Sequence, residues 1–281
     1  MGEFVKFEVK DHIGIVTIDR PPVNAVCESI RLDLTEIFTS LNTRTDVYCV
    51  ILRAENRCFS AGHDLKEAGI RSKTDPDFRK RVNPTINASF DAVYRCRVPV
   101  IAAVHGYVIG MGFAYASLCD IVVASEDATF NFPEISVGTV GGPFWLKRVV
   151  PDKVARYHFY TAKPFSAEEM ERWGFIHKIV PKEELFDAAM EVAKEIAKSY
   201  PPALWATKMV ITEGEIEQYD VVDLSARMRE RGNVELLGPD PNRSELARAK
   251  LESVSRCLMS PTSRDGRLSN ERVQSCKDRP V

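Results

Sequence analysis

Between Val98 and Ala124 the chain carries only two strongly polar side chains, His105 and Asp120, and glycines at 106, 110 and 112 cut the apolar run into pieces. Each piece falls short of the about 20 uninterrupted apolar residues that a bilayer helix needs, so no membrane partner is expected. The fold itself must bury the run. Its glycines divide it into a strand (Val98 to Val104), a tight loop, a buried helix ending near Leu118 and a second strand (Ile121 to Ala124). A segment buried on every side needs other elements around it, and a chain of 281 residues is long enough to supply them.

Those elements are legible on both sides. Phe4 to Val9 and Ile13 to Ile18 alternate around Asp11-His12, as a hairpin does. After the loop Arg20 to Val26, the spacing of Ile30, Leu34, Ile37, Phe38 and Leu41 predicts a helix, and Val47 to Leu52 reads as a buried strand. The order of strand, turn and helix then recurs, with Ile121 to Ala124 followed by Phe130 to Pro133. Arg71 to Arg81 is charged and aperiodic, the expected mobile stretch and the place where a lid would sit. Farther on, Ser166 to Glu169 reads as a capping box closed by Gly174, and Leu185, Ala188, Ala189, Val192, Ala193 and Ile196 mark one face of a long helix. Ala203 to Ile211 and Leu246 to Val254 carry further apolar faces. Beyond about Leu251 the chain turns polar, and no residue-level repeat is visible.

Charge narrows the function. Thirty-eight basic against forty acidic side chains leave a net charge of -2, so no overall field attracts nucleic acid or an anionic membrane. Seven scattered cysteines without a Cys-x-x-Cys pair argue for reduced thiols and against a zinc site, and no export signal opens the sequence. A cytoplasmic location without a metal is the expectation.

Three motifs then come in order: Phe59-Ser60-Ala61-Gly62-His63-Asp64-Leu65, the segment from His105 to Ala114 containing Gly110-Met111-Gly112, and Phe132-Pro133-Glu134. Their order and spacing, within a stretch from about Phe7 to Leu251, resemble the enoyl-CoA hydratase/isomerase (crotonase) superfamily. The resemblance implies an α/β fold, a right-handed spiral of ββα units with a C-terminal helical trimerisation region. It divides the chain into a core with the acyl-CoA site (1–200), a helical region (201–255) and a polar tail (256–281), and it implies a homotrimer or a pair of trimers. The substrate it implies is an acyl-CoA thioester, with no cofactor beyond the CoA that the substrate carries.

Chemistry at a thioester places negative charge on the carbonyl oxygen, and fixed main-chain N–H groups stabilise such charge without bringing a charge of their own. Gly110 opens an apolar helix, whose first N–H groups lack intrahelical partners. By position in the family motifs, the oxyanion hole consists of the N–H groups of His63 and Met111. The resemblance also implies substrate binding by Val23, Ala25, Ala61, Gly62, Asp64, Leu65, Lys66, Gly110, Ala114 and Trp145, the last beside a bulky Gly141-to-Trp145 segment.

One position departs from the pattern. Ala114 stands where hydratases of the family carry a glutamate, whereas Glu134 fills the second acidic position. Glu134 lies among Phe130, Phe132, Pro133 and Ile135, an apolar setting that raises a carboxyl pKa. One carboxylate that removes a proton and returns it elsewhere suffices for double-bond isomerisation, the simplest fit. Atypical hydration or hydratase-lyase chemistry remains open if a second group such as Tyr107, Tyr115, His63 or Trp145 assists. Decarboxylation and a non-catalytic CoA binder are further alternatives. Nucleic-acid binding has only short basic clusters, Arg79-Lys80-Arg81 and Arg227 to Arg231, in its favour.

Overall fold

The computed structural model describes residues 2–67, 78–137 and 143–218, without the side chains of 78–81, 137, 143–144 and 216–218. Strands β1 (Val5–Lys10) and β2 (Ile13–Ile18) form the expected hairpin. Helix α1 (Glu28–Ser40) and strand β3 (Cys49–Ala54) follow, then α2 (Phe78–Tyr94), β4 (Val100–Val104), β5 (Tyr107–Ile109), α3 (Met111–Leu118), β6 (Ile121–Ser125) and β7 (Thr129–Asn131). The remainder is α4 (Pro143–Val149), α5 (Asp152–Thr161), β8 (Phe165–Ser166), α6 (Ala167–Arg172), β9 (Lys178–Val180), α7 (Leu185–Ala197) and α8 (Pro201–Gln218).

Two sheets organise these elements. The larger has the order β1-β2-β3-β4-β6-β9, parallel throughout except for the β1/β2 hairpin, and the smaller has the order β5-β7-β8. β4 continues into β5 and β6 into β7, so the chain twice leaves the large sheet for the small one, returning first through α3 and then through α4, α5, β8 and α6. This is a repeat of path. It leaves no repeat of residues because each turn meets different neighbours. The short β5, which the sequence reading merged into a loop, is the strand that joins the two sheets.

Strands β2, β3, β4 and β6 of the large sheet are buried on both faces, which accounts for their continuous apolar runs. Val16, Ile18, Val50, Leu52, Ala102 and Val104 face one core, which includes α1 residues Ile30, Leu34 and Phe38. Ile13, Ile15, Cys49, Ile51, Ile101 and Ala103 face the other, covered by Leu185, Ala188, Ala189 and Ala193 of α7. Cysteines 27, 49, 58, 96 and 119 are buried free thiols, and burial pushes Cys58 up to about 11. The capping box at Ser166 is present, with Ser166 N donating to Glu169 Oε2 at 2.9 Å and Glu169 N donating to Ser166 Oγ at 3.2 Å.

Expectations meet the described residues unevenly. Of the stretch from Arg71 to Arg81, residues 78–81 belong to α2, and the rest lies outside the described residues. So do the Leu246-to-Val254 helix, the tail and the Arg227-to-Arg231 cluster, whereas Ala203 to Ile211 falls within α8. No described helix is long and apolar enough to cross a membrane.

Lys208 fastens α8 to the sheet. It is 6% exposed, and its Nζ donates to Val98 O at 3.0 Å and to Asp120 Oδ2 at 2.7 Å. The same Asp120 oxygen accepts the N–H of Val100 at 2.7 Å, so a carboxylate and an ammonium together satisfy the start of β4. Lys208→Ala is expected to cost about 1.5–3 kcal/mol in denaturant unfolding, the range for a hydrogen bond to a charged group. A loss below about 0.5 kcal/mol would show that α8 is held by its apolar contacts alone.

Candidate active site

The first glycine turn is held by main-chain pairing to the Arg20-to-Val26 loop. Ala61 N donates to Val23 O, Val26 N to Gly62 O and Asp64 N to Val26 O, a parallel bridge between Val26 and His63. Bonding on both sides of His63 turns its own N–H the opposite way, and that N–H has no main-chain partner among the described residues. Asn24, fully buried, keeps the loop in shape: its Nδ2 donates to Glu55 O at 2.6 Å and Cys58 O at 2.8 Å, and its Oδ1 accepts Arg20 N at 2.8 Å. Ser60 Oγ donates to Asn24 O at 2.7 Å and accepts Gly62 N at 3.1 Å. The sequence reading chose Val23 and Ala25 on either side and passed over Asn24 and Ser60. A polar side chain set in an apolar stretch between two prolines and the start of α1 was the signal available.

The second turn comes from β5. Ile109 N donates to Ser60 O and Gly110 N to Asn131 O, after which α3 begins at Met111. The first helical bond ends on Ala114 N, so the N–H of Met111 has no main-chain partner among the described residues, as expected at a helix start. Gly62 (φ +88°) and Gly110 (φ +51°) both occupy the left-handed half of backbone space, which favours glycine. They also touch. A Cβ on Gly62 would stand 2.9 Å from Ile109 O and 3.7 Å from Gly110 Cα, so the structure brings the two turns side by side. His63 Nδ1 lies 3.3 Å from Met111 Sδ, a contact between the two residues whose N–H groups are unpaired. Burial first, and the charge of Arg31 second, hold the His63 ring below the usual histidine range, so it is neutral at pH 7.

Glu134 completes the group. A Cβ on Gly110 would lie 2.9 Å from Glu134 Oε1, so the carboxyl rests in the space that the missing side chain leaves. Phe113 stacks on Phe132 with centroids 4.6 Å apart and lies 5.3 Å from Phe130, which locks α3 to the segment that delivers Glu134. Oε2 is buried without a hydrogen-bond partner. Burial raises the carboxyl from 4.5 to about 7 against the opposing pull of its own main-chain N–H.

The other predicted residues divide. Ala114 is 2% exposed and belongs to the core, and Tyr115 beside it is fully buried with its hydroxyl 2.8 Å from Ser89 Oγ. Trp145 is half-buried on α4, edge-on to Phe90 at 5.5 Å. Leu65 and Lys66 are exposed. Asp64 is committed locally: its Oδ2 pairs with Arg20 at 2.7 Å, and its Oδ1 accepts the N–H groups of Lys66 and Glu67. Burial opposes its charge, but those donors outweigh it and hold the carboxyl below the ordinary range. Among the described residues no three His, Cys, Asp or Glu side chains are placed to hold a metal ion.

The family model for enoyl-CoA hydratase/isomerase matches residues 8–229. A (7aS)-7a-methyl-1,5-dioxo-2,3,5,6,7,7a-hexahydro-1H-indene-carboxyl-CoA hydrolase of Mycobacterium tuberculosis is 37% identical over 228 residues, 80% of this chain and 89% of that protein. A carnitinyl-CoA dehydratase of Escherichia coli K12 is 35% identical over 216 residues, 75% of this chain and 80% of that protein. In structure, an enoyl-CoA hydratase from Mycobacterium avium subsp. paratuberculosis superposes with a TM-score of 0.74 over 88% of this chain and 99% of its own, at 23% identity, a likeness of fold.

Glu134 has a consequence for stability. Its folded pKa lies above its unfolded one, so the stability drawn from the extra proton is full below about pH 4.5 and is lost as pH rises through about 7. Glu134→Gln stays neutral throughout. Denaturant unfolding should find that variant about 1–3 kcal/mol more stable than the parent at about pH 8 and equal to it near pH 4. Parallel stability-versus-pH curves for the two proteins are the contrary result.

Proposed function

The chain belongs to the enoyl-CoA hydratase/isomerase family, and from that premise we propose that it is an acyl-CoA enzyme in which Glu134 is the single proton carrier and the N–H groups of His63 and Met111 hold the thioester oxygen. The observation that carries the reading is the buried, hydrogen-bond-free Oε2 of Glu134 on a carboxyl with a pKa of about 7, set against the turn that ends in the free N–H of Met111. A carboxyl poised at that value accepts and returns a proton at neutral pH. Ala114 supplies no second acid or base, so the proton that Glu134 takes is the one it gives back.

Hydrolysis of a β-oxoacyl-CoA uses such a site fully. Glu134 takes a proton from water as its oxygen bonds to the β-carbonyl carbon. The bond from that carbon to the α-carbon breaks, and its electron pair passes into the thioester enolate, whose oxygen the two N–H groups stabilise. Glu134 then delivers its proton to the α-carbon, leaving a carboxylic acid and a shortened acyl-CoA. The relative named as a hydrolase of a dioxo-indene carboxyl-CoA supports this choice. Double-bond isomerisation is the second reading, favoured by the same lone carboxyl, which can carry a proton from the γ- to the α-carbon. Bound CoA runs from the Arg20-to-Val26 loop past Ala61 and Lys66, and the assembly is a trimer or a pair of trimers, both on the family's pattern.

Assays in heavy water with β-oxoacyl-, β,γ-enoyl- and α,β-enoyl-CoA thioesters separate the readings. An acid plus an α-deuterated acyl-CoA marks hydrolysis, a deuterated α,β-enoyl product marks isomerisation, and inertness toward all three classes overturns the enzyme reading. On the reactive class, Glu134→Gln should lose about 100- to 10,000-fold in turnover, and the parent's kcat/KM should rise with pH through about 7 as the carboxyl ionises. Turnover of the variant within a few-fold of the parent removes Glu134 from the mechanism.

Main-chain and side-chain roles respond oppositely to substitution. Gly62→Ala forces a Cβ to 2.9 Å from Ile109 O at φ +88° and should reduce turnover about 100-fold or more, whereas Met111→Ala, which keeps the N–H, should cost less than about tenfold. The reverse order would assign the chemistry to the methionine side chain.

A further inference from the structure

Arg31 is the largest fully buried side chain among the described residues, 1% exposed on the first turn of α1. Its Nε donates to Thr85 Oγ1 at 3.1 Å, and Thr85 in turn donates to Val82 O at 2.8 Å. Its NH1 is buried with no hydrogen-bond partner, and no described carboxylate forms an ion pair with it. A guanidinium is always charged, and removing one from water without an anion costs several kcal/mol, so a fold does not retain this arrangement for its own stability. The cation lies within electrostatic reach of the His63 ring, whose residue supplies one N–H proposed for the thioester oxygen, and of the hydroxyl of Tyr115 one turn into α3. Glu134 does not neutralise it, since its own Oε2 is equally unpartnered.

We propose that Arg31 is a specificity-determining residue that binds a carboxylate carried by the acyl group of the thioester, so that the enzyme's ligands are CoA thioesters with an anionic acyl end. The proposal rests on the acyl-CoA reading of the site. Where the β-carbonyl and the α-carbon belong to one ring, hydrolysis opens the ring and the new carboxylate stays on the acyl group of the thioester, where the cation holds it. A guanidinium can stay in a dry interior only with an anion to meet it.

The test is binding of unreactive thioesters in matched pairs by calorimetry: succinyl- against butyryl-CoA, glutaryl- against valeryl-CoA and adipyl- against hexanoyl-CoA. In the parent protein, at least one carboxyl-ended thioester should bind about tenfold or more tightly than its methyl-ended partner. Arg31→Met should abolish that preference while leaving the methyl-ended affinities within about threefold, a split that a general structural lesion would not give. Arg31→Lys, which keeps the charge, should retain part of the preference, and Arg31→Gln serves in place of the methionine variant if that variant does not fold. Absence of preference at every length in the parent overturns the proposal, as does its survival in the neutral variant or an equal weakening of both ends. Binding of methyl-ended thioesters without any preference overturns Arg31's role alone. Failure of every thioester to bind overturns the acyl-CoA reading and the proposal together.

Discussion

Glu134 reaches its position only because Gly110 has no side chain. The same glycine, with Gly62 pressed against it, holds two main-chain turns so close that no Cβ fits between them. Everything else in the core serves this contact. The Val26–His63 bridge fixes one turn, β5 fixes the other between Ser60 and Asn131, and the Phe113–Phe132 stack fixes the carboxyl. The parallel strands β2, β3, β4 and β6 are buried on both faces, so they cannot slide to relieve a misfit, and the two glycines adopt positive φ without the steric cost a side chain would bring.

The site is consequently expensive in charge as well as in backbone. Glu134 Oε2 and Arg31 NH1 are both buried without hydrogen-bond partners; among the described residues Arg97 Nε and the Trp205 indole N–H share that state, but the Arg97 guanidinium still meets Arg44 O and the face of the Trp205 ring. Asp120 has Lys208 and the N–H of Val100, and Asp64 has Arg20 and two N–H groups. The contrast is with Asp120 and Asp64, which hold elements together and are complete, whereas Glu134 follows a thioester motif and Arg31 lies on the helix after the first loop. An incomplete buried charge lowers stability, and ligand binding by the same group recovers what was lost.

The parts of the fold that were legible in the sequence are those where one physical rule acts alone. The β1/β2 hairpin, the apolar faces of α1 and α7 and the capping box at Ser166 follow from period and local hydrogen bonding. Boundaries slipped by about two residues at β3 and β4, because an apolar run buried on both faces has no alternation to mark its ends. The path of β4 to β5 and β6 to β7 was not legible from periodicity, since three residues are too few to show a pattern, and only the family resemblance supplied it. In the site, Gly62 and Gly110 stand out because their main-chain geometry favours glycine, whereas His63, Met111 and Glu134 stand out only by position in the family motifs.

Arg31 was invisible for an instructive reason. Its spacing from Leu34 and Phe38 places it on the same helical stripe as the core residues, and a charged side chain on such a stripe was passed over in favour of the apolar positions around it. Burial of one polar position within an otherwise apolar stripe is the pattern to look for, because packing alone never selects it. Asn24 obeys the same logic with the opposite outcome: it too is buried, but its amide meets four groups of the surrounding loops and is thereby structural. Sequence position identifies both residues as anomalies. Only the hydrogen-bond inventory tells which anomaly closes on itself and which one is left open to a ligand.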